Sequence, residues 1–294
     1  MRKSILILAA AMLATSPIIA KPPALPAAIY TDPAPDKAHP ARMEVLHIPS
    51  GGVEINGVAY LASGAGLHPT LVLCHGWPGN EKNLDLAQAV RRAGWNVVTF
   101  NYRGSWGSAG NFRFAQNPED ASAVLAYLRA PANAAKLRID TSKLALAGHS
   151  MGGWVTAMVG GKDDGLQGVA LISAANMGAI GILPRAEIVT LSADNAETLA
   201  GTSPDQMADE LIAGTKPFDF MQAAPGLARK SVLILSSDDG LAPQTDALGQ
   251  AITAAGGMRV TMVHVATDHG WSDKRIELQA RVIRWLKGLL PQKR

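Results

Sequence analysis

Cysteine is almost absent from this sequence. Cys74 is the only cysteine among 294 residues, so no disulfide bond can form within the chain. Because Cys74 lies in the apolar run TLVLCHG, we expect a small buried side chain there, with a catalytic thiol as the alternative. The sequence also lacks CxxC pairs and an HExxH motif. It therefore predicts no metal site.

Charge is sparse as well. Charged residues make up 17% of the chain, and the formal net charge is only +3. Proteins that bind nucleic acids usually carry a clustered basic surface, and the sequence shows no such cluster, so we expect no nucleic-acid partner. Because 48% of the residues are hydrophobic, the chain can bury one large core. We expect one globular domain with an insertion, and the sequence leaves its oligomeric state open.

The first twenty residues, MRKSILILAAAMLATSPIIA, have a basic start, a short apolar run and a small residue at the end. A membrane-spanning helix needs about twenty apolar residues, and Ser16 and Pro17 interrupt this run. We expect a signal peptide over residues 1–20 that is cleaved after Ala20, which predicts a periplasmic or secreted protein with no membrane span after cleavage. An uncleaved anchor is the alternative. The proline-rich residues 21–42 are expected to form a tether or a tail on the surface.

From Met43 onward, apolar strand-like runs alternate with segments of helical periodicity. Such alternation predicts an α/β fold with a doubly wound, mostly parallel sheet and helices on both faces, over residues 43–294. Two antiparallel strands open the fold, and six further runs are typical of strands covered on both faces. The predicted strands are MEVLHIPS, VEINGVAYLAS, PTLVLCHG, NVVTFNY, KLALAGHS, GVALISAA, SVLILSSD and VTMVHVAT.

Five segments predict the helices of this fold. They are NLDLAQAVRRAG, PEDASAVLAYLRA, MGGWVTAMVGG, QTDALGQAITAAGG and DKRIELQARVIRWLKGLL, each with apolar residues at helical spacing. We expect Asn117 to cap the second of them, because Pro118 and two acidic residues follow it. Residues 176–216 show helical patterns without a strand, which predicts a small helical cap inserted after the sixth strand.

One hydroxyl lies between glycines in the stretch SKLALAGHSMGG. If LALA is a strand and MGGWVTAM a helix, Ser150 occupies the sharp turn between them, and Gly148 and Gly152 make room for that turn. The Ser150 hydroxyl would then stand above the sheet. The Met151 N–H at the start of the helix would point towards a developing negative charge. This arrangement is typical of a nucleophile elbow.

A serine nucleophile needs a general base, and the base needs a carboxylate that holds it in one tautomer. The run SVLILSSDDGLAP provides Asp238 and Asp239 at the end of a strand, and VTMVHVATDHGWSD provides His269 after the next strand. The order Ser, Asp, His is the one expected for this fold. We expect Asp239 to be the acid because Gly240 permits a sharp turn, and Asp238 to be a solvated or turn-capping residue. A plain surface histidine is the alternative for His269.

A second oxyanion donor is expected in TLVLCHGWPGN, where a strand ends in His-Gly-Trp-Pro-Gly. The N–H of Trp77 after Gly76 would pair with that of Met151 to form an oxyanion hole. A simple tight turn is the alternative interpretation.

Together these motifs resemble the α/β-hydrolase family, and the resemblance extends from about Met43 to Leu290. It rests on five segments in order: HGWPG (75–79), NYRGSWGS (101–108), GHSMGG (148–153), DGLAP (239–243) and DHG (268–270). The resemblance implies Ser150 as nucleophile, His269 as base and Asp239 as acid, and Pro243 matches the family's Asp-x-x-Val-Pro pattern. It implies that Arg103 is structural, with catalysis as the alternative.

The implied reaction is the hydrolysis of a small-molecule ester or acyl substrate through an acyl-enzyme, with no cofactor. Within the family, the chain resembles small esterases and the catalytic domains of the prolyl-oligopeptidase group, although we expect it to lack the large propeller domain of that group. An amidase or peptidase of the same fold remains an alternative. A secreted binding protein that keeps the fold without catalysis is another.

Overall fold

The structure is a computed structural model that describes residues 24–291. The predicted signal peptide lies outside the described residues. Within them, no helix is both long and apolar enough to cross a membrane. Residues 24–41 include a 3-10 turn at Ala27–Ile29, which lies beside a helix because the Arg92 guanidinium donates hydrogen bonds to the carbonyls of Ala28 and Ile29.

Eight strands form one sheet in the described part of the chain. Their bounds are Arg42–Ser50 (β1), Val53–Leu61 (β2), His68–Cys74 (β3), Asn96–Phe100 (β4), Ile139–His149 (β5), Leu166–Ile172 (β6), Ser231–Ser236 (β7) and Val260–His264 (β8). The order across the sheet is β1-β2-β4-β3-β5-β6-β7-β8. The pairs β1–β2 and β2–β4 are antiparallel, and the other pairs are parallel. The predicted fold class is therefore confirmed.

Ten helices connect or flank these strands in the described part of the chain. They are Leu84–Arg92 (α1), Asn117–Arg129 (α2), Pro131–Leu137 (α3), Met151–Gly160 (α4), Met177–Ile180 (α5), Arg185–Ala193 (α6), Pro204–Ala213 (α7), Ala224–Leu227 (α8), Ala242–Ala254 (α9) and Arg275–Leu289 (α10). Successive side chains of a strand point to opposite faces. Thus Val72 packs in the core with α2 and α4, whereas Leu71 and Leu73 pack with α1 and α10.

Two local predictions are wrong. The run VTMVHVAT was expected to be covered on both faces, but β8 is the edge strand, and Thr261, Met262 and His264 are exposed. Asn117 was expected to cap α2, yet it is the first helical residue, with φ −62° and ψ −42°. A 3-10 turn at Phe114–Gln116 runs directly into the helix, so no extended cap residue precedes it.

Residues 176–216 contain α5, α6 and α7 and no strand. Asn176 caps α5 by accepting a hydrogen bond from the Gly178 N–H, and Ser203 caps α7 by accepting one from the Gln206 N–H. The segment between α6 and α7 is joined to the loop after β4, because the Ala200 N–H donates to the Gly104 carbonyl at 2.7 Å. These contacts hold the helices above the carboxyl ends of the parallel strands.

Candidate active site

Ser150 occupies the turn between β5 and α4, and its backbone is strained. It has φ 59° and ψ −125°, a combination that costs a non-glycine residue about 1–3 kcal/mol. The turn also needs its glycines. A Cβ added at Gly148 would lie 2.0 Å from the Gly152 carbonyl oxygen, and one added at Gly152 would lie 2.2 Å from the Cys74 carbonyl oxygen. The turn therefore places the Ser150 hydroxyl above the sheet, and the Ser150 backbone is strained as a result.

His269 and Asp239 form a hydrogen-bonded pair beside this turn. The His269 Nδ1 lies 2.7 Å from the Asp239 Oδ2. The Asp239 carboxylate also accepts hydrogen bonds from the Ser237 hydroxyl at 3.0 Å and from the Leu241 N–H at 2.9 Å. Burial opposes its ionisation, but the hydrogen bonds from His269, Leu241 and Ser237 outweigh burial and lower the pKa of Asp239 to about 2. Since Nδ1 donates to a carboxylate, Nε2 is the ring nitrogen that is free to accept a proton.

The neighbouring carboxylate has a different partner. Asp238 Oδ1 lies 2.8 Å from His264 Nε2, and both side chains are largely exposed. His264 Nδ1 lies 3.1 Å from the Ser236 hydroxyl. Asp238 does not line the cavity that contains Ser150 and Asp239. The structure thus places Asp239 with His269 and Asp238 at the sheet edge.

The loop after β3 lies directly against Ser150. A Cβ added at Gly76 would lie 3.0 Å from the Ser150 Cβ, so a larger residue at position 76 would crowd the Ser150 side chain. Two hydrogen bonds hold this loop: the Tyr102 hydroxyl donates to the His75 carbonyl at 3.2 Å, and the Trp106 indole N–H donates to the Pro78 carbonyl at 2.8 Å.

Trp77 and Met151 both line the cavity that contains Ser150. Among the described residues, neither backbone N–H donates a hydrogen bond to a protein acceptor. Unpaired backbone N–H groups are uncommon inside proteins, where they are normally satisfied. Two such donors beside one serine are suited to bind a negatively charged oxygen.

The cavity has a volume of about 480 Å³. Its polar wall is formed by Ser150, Asp239 and His269, with Asn195 and Gln244 at other points. Its remaining wall is mostly apolar and comes largely from the α5–α6 segment, from Met177, Ala179, Ile180, Leu183 and Leu191, with Leu241 and Trp77.

No hydrogen bond joins the Ser150 hydroxyl to His269 within the described chain. In enzymes without bound substrate, such hydrogen bonds are often long, and they shorten when the substrate binds.

Other candidate chemistry is absent from the described residues. No group of three or more His, Cys, Asp or Glu side chains is arranged to hold a metal ion within residues 24–291. Cys74 is buried, and burial raises the pKa of its thiol to about 12, so it is not a thiolate at neutral pH. Arg103 is tied to Asp120 at 2.6 Å and to Glu119 at 2.7 Å. It joins the loop after β4 to α2.

The profile of the alpha/beta hydrolase family matches residues 71–288, which is well over half of the chain. The chain belongs to this family. A comparison with curated protein sequences gives no significant match.

Solved alpha/beta hydrolase structures show the same fold at low sequence identity. An esterase from Pyrobaculum calidifontis is 19% identical, with a TM-score of 0.67, and the match covers 85% of each chain. A thermostable carboxylesterase cloned from a metagenomic library is 21% identical, with a TM-score of 0.60, over 86% of this chain and 91% of that one. The acylaminoacyl peptidase of Pyrococcus horikoshii is 14% identical, with a TM-score of 0.65, over 86% of this chain. The chain spans only 42% of the length of that peptidase.

His149, which lies beside this site, was not singled out by the sequence analysis. The His149 Nε2–H donates a hydrogen bond to the backbone carbonyl of His269 at 2.8 Å, and the two rings lie 4.6 Å apart. Burial and, to a smaller extent, the neighbouring His269 lower the pKa of His149 to about 4. His149 is therefore neutral at pH 7 and anchors the loop that carries His269. Its position directly before Ser150 in the sequence is the signal that could have identified it.

Proposed function

We propose that this alpha/beta hydrolase is a serine hydrolase that cleaves carboxylic esters. The observation that carries the proposal is the 2.7 Å contact between His269 Nδ1 and Asp239 Oδ2 beside a cavity that also contains Ser150. The contact fixes the tautomer that a general base needs. The strained turn at Ser150 supports the nucleophile, because such strain persists where function requires it.

In the proposed reaction the Ser150 Oγ attacks the ester carbonyl carbon while His269 Nε2 takes the hydroxyl proton. The N–H groups of Trp77 and Met151 bind the carbonyl oxygen as it becomes negatively charged. The imidazolium then protonates the leaving alcohol, and an acyl-enzyme remains on Ser150. Water attacks this ester with His269 again as base, and the acid and Ser150 are released. Asp239 stays ionised and stabilises the imidazolium throughout.

The cavity wall favours an uncharged aliphatic acyl group. Apart from Asp239 and His269, the side chains that line the cavity are uncharged. A charged substrate group would lose its hydration there without gaining an ion pair. Met177, Ile180, Leu183 and Leu191 instead offer apolar surface, and each buried CH₂ group contributes about 0.8 kcal/mol to binding. We therefore expect activity on alkyl esters to rise with acyl length until the cavity is filled.

The test combines covalent labelling with a substrate panel. A fluorophosphonate should label the wild-type protein and not Ser150→Ala. Ser192→Ala is the matched control, because Ser192 is a buried serine outside the cavity, and it should label like wild type. Nitrophenyl esters of graded length and aminoacyl anilides then identify the bond that is cleaved. Absence of wild-type labelling would favour a binding protein, and faster anilide cleavage would favour an amidase or peptidase.

We also propose that the enzyme acts in the periplasm or outside the cell. The support is the sequence of residues 1–20, whose apolar run is too short to span a bilayer and ends in Ile-Ile-Ala. N-terminal sequencing of exported protein should find Lys21 first. Intact Met1 in a membrane fraction would contradict the proposal.

A further inference from the structure

A chain of buried side chains lies behind the Asp239 carboxylate. The Trp271 indole N–H donates to the Ser173 hydroxyl at 2.9 Å. The Ser173 and Ser237 hydroxyl oxygens are 2.6 Å apart, and the Ser237 hydroxyl lies 3.0 Å from Asp239 Oδ2. Ser173, Ser237 and Trp271 are completely buried. Asp239 Oδ2 is also the oxygen that receives His269 Nδ1.

The direction of the hydrogen bonds in this chain is fixed by chemistry. An indole N–H can only donate, and an ionised carboxylate can only accept. The single Ser237 proton therefore goes to Asp239, since otherwise a hydroxyl lone pair would face the carboxylate. Ser237 must then accept from Ser173, whose own oxygen accepts from Trp271. The hydrogen-bonding protons of Trp271, Ser173 and Ser237 thus all point along this series towards Asp239.

The hydrogen-bonded residues come from three parts of the fold that meet only in the folded protein. Ser173 follows β6, Ser237 follows β7, and Trp271 lies in the loop before α10. Ser173 and Trp271 have φ values of 42° and 58°, a strained region for residues other than glycine. The same region of φ occurs at Ser150. Backbone strain at the nucleophile and at these two hydrogen-bonded residues indicates that the surrounding structure holds them in place.

We infer that Trp271, Ser173 and Ser237 form a positioning relay that holds the Asp239 carboxylate in the orientation that receives His269. The inference rests on the proposed function, because it assigns Asp239 as the acid. None of the three relay residues lines the cavity, so they act through Asp239 and not on the substrate. Losing one of them should lower kcat and leave KM unchanged.

The first experiment measures ester hydrolysis by Ser237→Ala, Ser173→Ala and Trp271→Phe. We expect kcat to fall about tenfold for Ser237→Ala, the effect of one hydrogen bond to a charged group, and less for the two more distant residues. KM should stay within about twofold. The controls are Ser192→Ala and Trp154→Phe, because Ser192 and Trp154 are also buried but their hydroxyl and indole N–H groups make no hydrogen bond within residues 24–291.

Two further readouts separate positioning from general destabilisation. In a double-mutant cycle, Ser237→Ala should cost little once Asp239→Asn is present, because the relay acts through that carboxylate. The NMR resonance of the His269 Nδ1 proton should shift in Ser237→Ala and not in Trp154→Phe. If Ser237→Ala does not fold, Ser173→Ala and Trp271→Phe provide the same measurements.

The relay is wrong if its variants match their controls in kcat, or if the Nδ1 resonance does not move. It is equally wrong if the losses of Ser237→Ala and Asp239→Asn simply add. These outcomes differ from failure of the proposed function, which would appear as a wild-type protein that neither hydrolyses esters nor reacts with a fluorophosphonate. The NMR measurement needs no substrate, and it tests the relay even in that case.

Discussion

Two aspartate–histidine pairs lie side by side at the carboxyl ends of β7 and β8, and their distances are nearly equal. Asp239 and His269 are 2.7 Å apart, and Asp238 and His264 are 2.8 Å apart. Their surroundings differ: the Asp239 side chain is 4% exposed, whereas that of Asp238 is 60% exposed. A short distance between an aspartate and a histidine therefore does not by itself make the pair suited to catalysis.

The difference follows from the sheet. Successive residues that leave a strand point to opposite sides, so only one of two adjacent aspartates can face the cavity. β8 is the edge strand, which leaves His264 in solvent, where ion pairs contribute little. His269 lies farther along in the loop that returns over the carboxyl ends of the strands. We call Asp239–His269 the inner pair and Asp238–His264 the outer pair.

Substitution of the histidine in each pair should give the largest contrast between the pairs. His269→Gln removes the proposed base, and we expect kcat to fall by about 10⁶-fold, as for loss of a catalytic base in a serine hydrolase. His264→Gln should leave kcat within about twofold, because surface substitutions away from a site have small effects. Ester hydrolysis by the two purified variants measures both. A similar loss in both variants would show that the outer pair also takes part in catalysis.

Substitution of the aspartate in each pair should give the next largest contrast. Asp239→Asn keeps the shape but favours the wrong histidine tautomer, which costs about 10⁴-fold in kcat in the convergent triad of a trypsin-type protease. We expect at least about a hundredfold loss for Asp239→Asn and less than about tenfold for Asp238→Asn. Kinetics on one ester with both variants decide the acid. A larger defect in Asp238→Asn would reverse the assignment, and two small defects would mean that neither carboxylate completes the triad.

Much of the fold could be predicted because its signals are local. Each of the eight strands overlaps a predicted run, although β5 begins at Ile139, four residues before the run KLALAGHS. The central strands gave the clearest signal, since strands buried on both faces are almost continuously apolar. The edge position of β8 could not be predicted from its own residues, because it depends on which strands pair. The short helix α3 was missed, and its seven residues carry too little periodicity for detection.

The proposed site residues could be predicted because each follows a strand with a typical motif. Ser150, Asp239, His269, Trp77 and Met151 all line one cavity. The relay behind Asp239 could not be predicted in the same way. Ser173 and Ser237 come close only because β6 pairs with β7, with Ile172 opposite Leu235, and that pairing is a property of the folded sheet.

A smaller contrast between the pairs is expected in acid. The pKa of Asp239 is lowered from 3.8 to about 2, so its ionised form stabilises the folded state above about pH 4, and this stabilisation is lost as the pH falls through about 2. Asp239→Asn should therefore lower the free energy of unfolding by roughly 1–2 kcal/mol at neutral pH. Urea unfolding from about pH 7 to pH 2 should show this difference shrinking below about pH 4. A difference that is independent of pH would contradict the lowered pKa, and Asp238→Asn is the control substitution.

The smallest expected effect is the coupling within the outer pair. The exposure of both side chains, 49% for His264 and 60% for Asp238, predicts a coupling free energy below about 1 kcal/mol. Alanine at each position and at both gives a double-mutant cycle, in which the separate loss of the Ser236 contact cancels. The same cycle on the inner pair should give about 1.5–3 kcal/mol, the contribution of a hydrogen bond to a charged group. The His269 side chain is 42% exposed, so the contrast rests on the buried Asp239 carboxylate. Added salt should weaken the outer coupling more, because a buried charge is screened less. Equal couplings in the two pairs would mean that distance, and not burial, sets the strength of these interactions.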